Sequence, residues 1–480
     1  MKRFIQGNNR NQGTLFPEYL EDYVSENNPV RVVDAFVEQL DLGKLGFNRA
    51  EPAITGRPSY HPSVLLKLYI YGYLNRIQFS RRLERETQRN VELMWLLDRL
   101  TPDFKTIANF RKDNGKAICK VCSQFVSLCR QLNLLTEATV AIDGSKFKAV
   151  NSYGNNFSEN KIKRRREYIE ASINRYLSAL ETADRQDKAD FSEAKSQRLQ
   201  EKIALLKEQM VKLESIEAQL KESPDKQISL TDPDARAIAT RGRGTGVVGY
   251  NVQTAVDTKN HLIVAHEVTN VGHDRSQLFT MSQQAKAALA TDSLNVLADR
   301  GYFSSEEIRQ CHEAGITAFV PKCLTSGAKA AGRFDKAEFK YHPEADEYSC
   351  PAGQRLIWRF ARIEGGLKLS RYWSSHCPQC EIKAKCTPGA YRRVSRWEHQ
   401  GILDAMQDRL DNNPDTMRIR SQTVEHPFGT LKAWMGATHF LTKTLKNVST
   451  EMSLHVLAYN LKRVMNIIGT PALMEAMMPV

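Results

Sequence analysis

The chain has 480 residues, room for roughly three domains of about 150 residues each. With 41% hydrophobic and 26% charged residues it has the composition of a folded globular protein, which excludes a disordered or collagen-like chain. No run reaches the ~18 apolar residues of a membrane span, and the polar residues soon after Met1 leave no apolar stretch for a secretory signal. Nine cysteines in such a chain are expected to be reduced or metal-bound, and the expected location is the cytoplasm. The formal net charge is +13. Residues 1–135 carry 20 basic and 14 acidic side chains and residues 350–400 carry 10 and 3, so two stretches hold the whole excess. Concentrated positive charge is what a nucleic-acid binder carries.

In chain order, the first ~135 residues read as helical. After a turn at Gly56–Pro58, Leu65, Leu68, Tyr69 and Tyr73 keep helical spacing through Pro62–Leu74. A basic stretch (Arg81, Arg82, Arg85, Arg89), an apolar block (Val91–Leu97) and an element opening at Thr101-Pro102-Asp103 follow. Short helices with exposed arginines suit a helix-turn-helix-like module, in which Arg81, Arg82 and Arg85 would contact DNA. Ala138–Ser145 predicts a buried strand that ends at Asp143-Gly144 and presents its carboxylate there. Residues 160–222 turn to long charged helices. Ile169, Ile173, Tyr176 and Leu180 are followed, past a polar break at Asp184–Asp190, by Leu199, Ile203, Leu206, Met210, Leu213 and Leu220, with Glu217 at one seam position. This spacing predicts an antiparallel helical hairpin of coiled-coil type. Its start, Lys161–Arg166, either touches phosphate or is a solvated face.

Arg241–Gly246 is glycine-rich but lacks the pattern of a phosphate loop. Gly249–Asp257 and His261–Val268 predict a β-hairpin, and a helix follows over Ser276–Ala290. Leu294–Asp299 is a second buried strand ending in aspartate, Ser304 and Glu307 form a capping box, and Ile316–Pro321 is a further strand. Helices are expected over Ser421–Met435, carrying Glu425, and over Leu454–Ile468.

Asp143 and Asp299 share a context: each ends an apolar β-run and precedes a glycine by one or two residues. A parallel α/β sheet presents ligands at that edge. Two carboxylates a few ångströms apart need a cation, and a hard ion such as Mg²⁺ or Mn²⁺ fits oxygen donors. A third carboxylate, Glu425, would complete a two-metal site for phosphodiester chemistry. Lys432, seven positions on and about two helical turns away, is expected on the same face, where its ammonium would meet DNA phosphate.

The segments Ala141-Ile142-Asp143-Gly144-Ser145-Lys146, Ala298-Asp299-Arg300-Gly301-Tyr302 and Val424–Lys432 resemble the three signatures of bacterial insertion-sequence DDE transposases. Pro102–Arg111 resembles the end of their N-terminal helical domain. The resemblance implies an RNase H-like α/β core, a mixed sheet flanked by helices. In it Asp143, Asp299 and Glu425 would bind two Mg (or Mn) ions, and the substrate would be double-stranded DNA at the terminal inverted repeats, cut and then joined to target DNA. Synapsis of two ends implies at least a homodimer. Relatives often carry Tyr-x2-Arg-x3-Glu-x6-Lys; here Ser421 takes the arginine position, which leaves Arg420 and Arg418 as the neighbouring candidates for DNA contact.

Between Asp299 and Glu425 lie Cys350-Pro351-Ala352-Gly353, Cys377-Pro378-Gln379-Cys380 and Cys386. Two knuckle-like turns about 25 residues apart point to a structural zinc site on Cys350, Cys377, Cys380 and Cys386, with His376 as a possible substitute ligand. Trp358, Phe360, Tyr372, Trp373 and Trp397 among arginines suit either base stacking or the small core of such a knuckle. Cys119-Lys120-Val121-Cys122 and Cys129 sit in an apolar helical pattern and read as core. His426 beside the proposed metal site, and His273-Asp274 before a helix, are further candidates. No Gly-x-Ser-x-Gly supports a serine hydrolase.

The expected organisation is an N-terminal helical DNA-binding domain (1–135), a catalytic core in three parts (136–159, 225–340, 401–480), a helical hairpin insertion (160–224) and a zinc-ribbon-like insertion (341–400). Alternatives are a metal-dependent nuclease that cuts without joining and a non-catalytic zinc-containing DNA-binding regulator.

Overall fold

The computed structural model describes residues 19–52, 58–136, 138–151, 153–185, 193–223, 225–239, 246–322 and 327–477. Most of the turn expected at Gly56–Pro58, most of the glycine-rich Arg241–Gly246 and most of the polar break at Asp184–Asp190 lie outside the described residues. The strands, in chain order, are β1 (Thr139–Lys148), β2 (Asn156–Ser158), β3 (Gln227–Ser229), β4 (Arg236–Ala239), β5 (Gly246–Asp257), β6 (Ile263–Thr269), β7 (Leu294–Leu297), β8 (Ile316–Phe319), β9 (Lys340–His342), β10 (Glu347–Ser349), β11 (Arg355–Glu364), β12 (Leu367–Trp373) and β13 (Val394–Trp397). The main sheet is mixed, in the order β4-β5-β1-β7-β8 with β6 also on β5. By packing, the chain divides into two units, Met1–Leu135 with Gly144–His273 and Glu425–Val480, and Thr136–Asp143 with Asp274–Val424.

In the first unit, short helices start where the sequence supplies caps. Asn28 accepts from Val30 N ahead of Pro29, His61 precedes Pro62, and Asp103 accepts from Lys105 N and Thr106 N. The helix Leu445–Ile468 is buried along most of its length and packs against helices Pro62–Leu74 and Gly115–Gln131. It begins nine residues earlier than its apolar run predicts, because Asp232 and Asp234 accept from Thr444 N and Leu445 N and cap its start. Gly115 permits the close approach: a Cβ there would lie 2.4 Å from Thr450 Oγ1.

The helices Glu159–Arg185 and Glu193–Glu222 form a pair, with Ile169, Leu213 and Leu220 buried between them beside Phe157 and Ile162. Seam residue Glu217 meets Arg166, and Lys161 donates to Gly154 O and Asn156 O, so this part of the basic start is occupied within the protein. β5 and β6 form the expected antiparallel hairpin, turned by the Asp257 carboxylate, which accepts from Lys259 N and Asn260 N.

In the second unit the first half of β1 pairs parallel with β7, and β7 pairs parallel with β8. Helices Leu278–Leu289, Ser305–Glu313 and Gln400–Asn412 pack on these strands. The expected capping box is not formed: Glu307 Oε2 accepts from Phe279 N of the neighbouring helix instead. β13-β12-β11-β10-β9 make a separate antiparallel sheet over a small core of Phe339, Tyr348, Leu356, Tyr372 and Val394. No helix among the described residues is long and apolar enough to cross a membrane.

Candidate functional site

β1 does not end at Asp143-Gly144 as its sequence predicts. It runs on to Lys148, because Ser145–Lys148 keeps the alternation of a strand and buries Phe147. Asp143 is therefore mid-strand, where the paired partner changes. The parallel register with β7 runs Thr139↔Asn295, Val140↔Val296, Ala141↔Leu297. Asp143 and Asp299 each come two residues after the last matched pair on their strands.

Arg420, from helix Thr416–Gly429, confirms that the two carboxylates converge. Its Nη2 lies 2.6 Å from Asp143 Oδ1 and 3.9 Å from Asp299 Oδ2, which places the two oxygens within 6.5 Å, the sum of those distances. The arginine side chain is 13% exposed, so it is turned inward rather than offered to solvent as a DNA contact. The ion pair is close but poorly aligned: Arg420 Nε and Nη2 are buried and make no hydrogen bond among the described residues. On the other side, Gly301 N donates to Asp299 Oδ1 at 2.8 Å and fixes that carboxylate. A Cβ at Gly301 would lie 2.9 Å from the same oxygen and 3.9 Å from Asp274 Oδ2.

That last distance identifies a residue the sequence did not single out for this place. Asp274 stands with Asp143 and Asp299 around the buried Tyr302. Burial pushes the Tyr302 phenol far above its ordinary range, the three carboxylates push it further, and Arg420 opposes them. Asp274 was visible only as a residue before a helix; its approach to Asp299 depends on the fold of Asp274–Gln277 and carries no local signal.

Glu425 is on the same helix as Arg420, five residues further along, and exposed. The buried face of that helix is built by Thr423, Val424 and Phe428. The helix does not run regularly from Glu425 to Lys432. Pro427 sits inside the helix and Thr430–Trp434 is wound as a π-turn, so two regular turns do not separate the residues. Lys432 Nζ instead donates to Ser145 Oγ (2.6 Å) and Lys146 O (3.1 Å) and lies 4.6 Å from the centroid of the Phe147 ring. Ser145 is two residues past Asp143 on β1, so the lysine fastens the strand that carries the aspartate.

Arg418 is exposed and pairs with Asp415. His426 Nδ1 is 2.9 Å from Tyr459 Oη, whose own proton goes to His261 O, so the histidine carries its proton on Nδ1. Burial, with Arg463 and His261, lowers its pKa and favours this neutral form. Arg81, Arg82 and Arg85 stand exposed on helix Ser80–Thr87 around the buried Leu83.

Cys350, Cys377, Cys380 and Cys386 line one cavity, together with His376. Among the described residues no three His, Cys, Asp or Glu side chains stand arranged to hold a metal ion as they are. The aromatics of this segment divide: Trp358 and Phe360 are exposed and Tyr372 and Trp397 are core, while Trp373 lies between Arg359 and Arg393. Cys122 and Cys129 are buried and Cys119 partly so; Cys119 and Cys122 meet Ser453 of the terminal helix, as core residues should.

Comparison with known families bears on what these residues serve. Residues 18–113 match the family described as "Transposase domain (DUF772)", and residues 221–461, half the chain, match the family described as "Transposase DDE domain". The chain belongs to the DDE transposases. It is therefore a transposase, an enzyme of DNA cleavage and transposition, in a family that uses divalent metal such as Mg or Mn. The second match contains Asp299, Glu425 and Lys432, and Asp143 precedes it. Among solved structures, a piggyBac transposase synaptic complex with hairpin DNA aligns over 94% of this chain and 79% of its own, at 10% identity and a TM-score of 0.33. No individual curated protein matches.

Proposed function

We propose that this transposase cuts DNA at the terminal inverted repeats of its element and joins the ends to target DNA, using Asp143, Asp299 and Glu425 to hold two divalent ions, Mg or Mn. The observation that carries the reading is the convergence of Asp143 and Asp299 on one positive charge, the Arg420 guanidinium. Two carboxylates that already share a cation are hard oxygen donors of the kind such an ion takes. Glu425 enters on its sequence signature and its exposed place on the helix that carries Arg420.

When bound, the ions lower the pKa of the attacking water or 3′-hydroxyl and stabilise the leaving oxygen. The protein's own contribution is positional. The Gly301 N–H holds Asp299, and Tyr302 stays protonated as a buried, neutral wall beside the carboxylates. Lys432 fixes β1 just past Asp143. No nucleotide is consumed, since each step exchanges one phosphodiester for another. Arg81, Arg82 and Arg85 supply DNA contacts from the exposed helix, in keeping with the concentrated charge of residues 1–135. Within this reading the core is RNase H-like, residues 160–224 and 341–400 are insertions, synapsis assembles at least a homodimer, and the enzyme works in the cytoplasm.

The test uses labelled terminal-repeat DNA with Mg²⁺ or Mn²⁺. Asp143→Asn, Asp299→Asn and Glu425→Gln are each expected to reduce cleavage and strand transfer by roughly 10³-fold. End binding in a gel-shift titration should stay close to that of the unaltered protein. Nicking retained by one variant removes that residue from the site, and cut ends with no joined product identify a nuclease.

A further inference from the structure

The antiparallel sheet of the second unit brings four thiols to one end. β10 finishes at Ser349, paired with Arg355 at the start of β11. β12 finishes at Trp373, paired with Ile357 near that same start, and Val394 opens β13 beside Tyr372. The turn after β10 holds Cys350, and the connection from β12 to β13 holds Cys377, Cys380 and Cys386. Both connections therefore leave the sheet at one edge, and all four sulfurs wall the same cavity. None is in a disulfide.

We infer that Cys350, Cys377, Cys380 and Cys386 bind one structural Zn²⁺ that staples this sheet. The backbone of each turn is already closed. Gly353 N donates to Cys350 O, Cys380 N to Cys377 O and Cys386 N to Lys383 O. The sulfurs are not gathered around an ion as they stand, and binding would draw them together across the cavity they line. Thiolate sulfur with no carboxylate among the four is a donor set that selects Zn²⁺ over the hard ions of the aspartate site. Arg392, which caps Phe339 and donates to Phe334 O, and the nearby Lys383 offset the charge of four thiolates.

The energetic argument points the same way. Five buried residues form the core of the sheet, and domains this small need a disulfide or a metal to hold them. An ion bound only by the folded form adds its binding energy to stability. The site is independent of the catalytic proposal, because it uses none of the same residues.

The full chain, purified under reducing conditions without chelator, is expected to contain about one zinc per molecule by mass spectrometry of the metal. Cobalt exchanged into it should show the charge-transfer and d–d bands of tetrahedral thiolate coordination. Cys377→Ser with Cys380→Ser should abolish that metal, whereas Asp143→Asn with Asp299→Asn should retain it. As a measurement that does not depend on a variant folding, titration of the unaltered protein with a mercurial should release zinc as the coordinating thiols react. Zinc far below one equivalent after zinc has been supplied, release out of step with thiol reaction, or zinc lost from the aspartate variant and kept by the cysteine variant would each overturn the assignment.

Discussion

Of the arginines with carboxylates nearby, Arg111 of one unit and Arg420 of the other are built differently. Arg111 donates to Tyr73 Oη and lies over the Tyr69 ring, and Glu451 is among the charges that act on it. Glu451 is fully buried, and its oxygens accept from Leu441 N, Thr442 N and Thr442 Oγ1. Arg420 has short distances to its aspartates but two N–H groups without an aligned acceptor. A satisfied network of buried polar groups specifies one structure and resists change. A charge pair that meets in distance and not in angle is held more loosely, which suits the proposal that these carboxylates take a metal ion. The contrast sets a fully satisfied buried group beside the site proposed for catalysis.

The largest effect should come from breaking the satisfied network. Glu451→Gln keeps the shape but turns one acceptor oxygen into an N–H donor, and leaving buried donors without their acceptor costs about 1–3 kcal/mol each. Denaturant unfolding is expected to show a loss of that order; a change below about 1 kcal/mol would put Glu451 outside the scaffold.

The same core sets a pH dependence. His455 packs edge-on against Tyr73, and burial, aided by Arg111, depresses its pKa to about 3; burial depresses that of His266 to about 4. Both bind protons less readily folded than unfolded, so the unfolded state takes up protons first as the pH falls below the ordinary 6.5. Stability is present above that value and is lost on acidification. Between pH 7 and pH 5 each histidine contributes up to about 2 kcal/mol of this loss. Unfolding temperature followed over that interval should fall more steeply for the unaltered chain than for His266→Gln with His455→Gln. Parallel curves would refute the assignment.

The smallest effect sharpens the other side of the comparison. Arg420→Met should change stability without divalent ion by about 1 kcal/mol or less, as a partly solvated pair does. On the proposal that guanidinium and metal compete for the same aspartates, Mn²⁺ should raise the unfolding temperature of Arg420→Met more than that of the unaltered chain. Equal shifts would exclude the competition.

How much of this was legible in the sequence depends on range. Asp143 and Asp299 could be singled out because apolar β-runs and glycines mark them locally, and their nearness in space fits that shared context. The continuation of β1 was missed because Asp-Gly reads as a turn, and only burial of Phe147 overrides it. The winding between Glu425 and Lys432 was not legible, because a heptad count assumes a regular helix, which Pro427 and the π-turn interrupt. The inward turn of Arg420 and the approach of Asp274 were illegible, since each depends on residues more than a hundred positions away or on a fold-dependent loop. The four cysteines were legible as a set; that they leave one end of one sheet was not.

The burial of Leu445–Ile468 among the first helices has a consequence for biosynthesis. Helices Pro62–Leu74 and Gly115–Gln131 pack on neighbouring early helices, but the face that Leu445–Ile468 covers stays open until that helix, more than 300 residues downstream, has been made. At ordinary elongation speeds that delay is on the order of half a minute. During it the nascent segment depends on chaperones or on transient collapse, and a ribosome that stalls before the last helix releases a product whose opening region has nothing to close it.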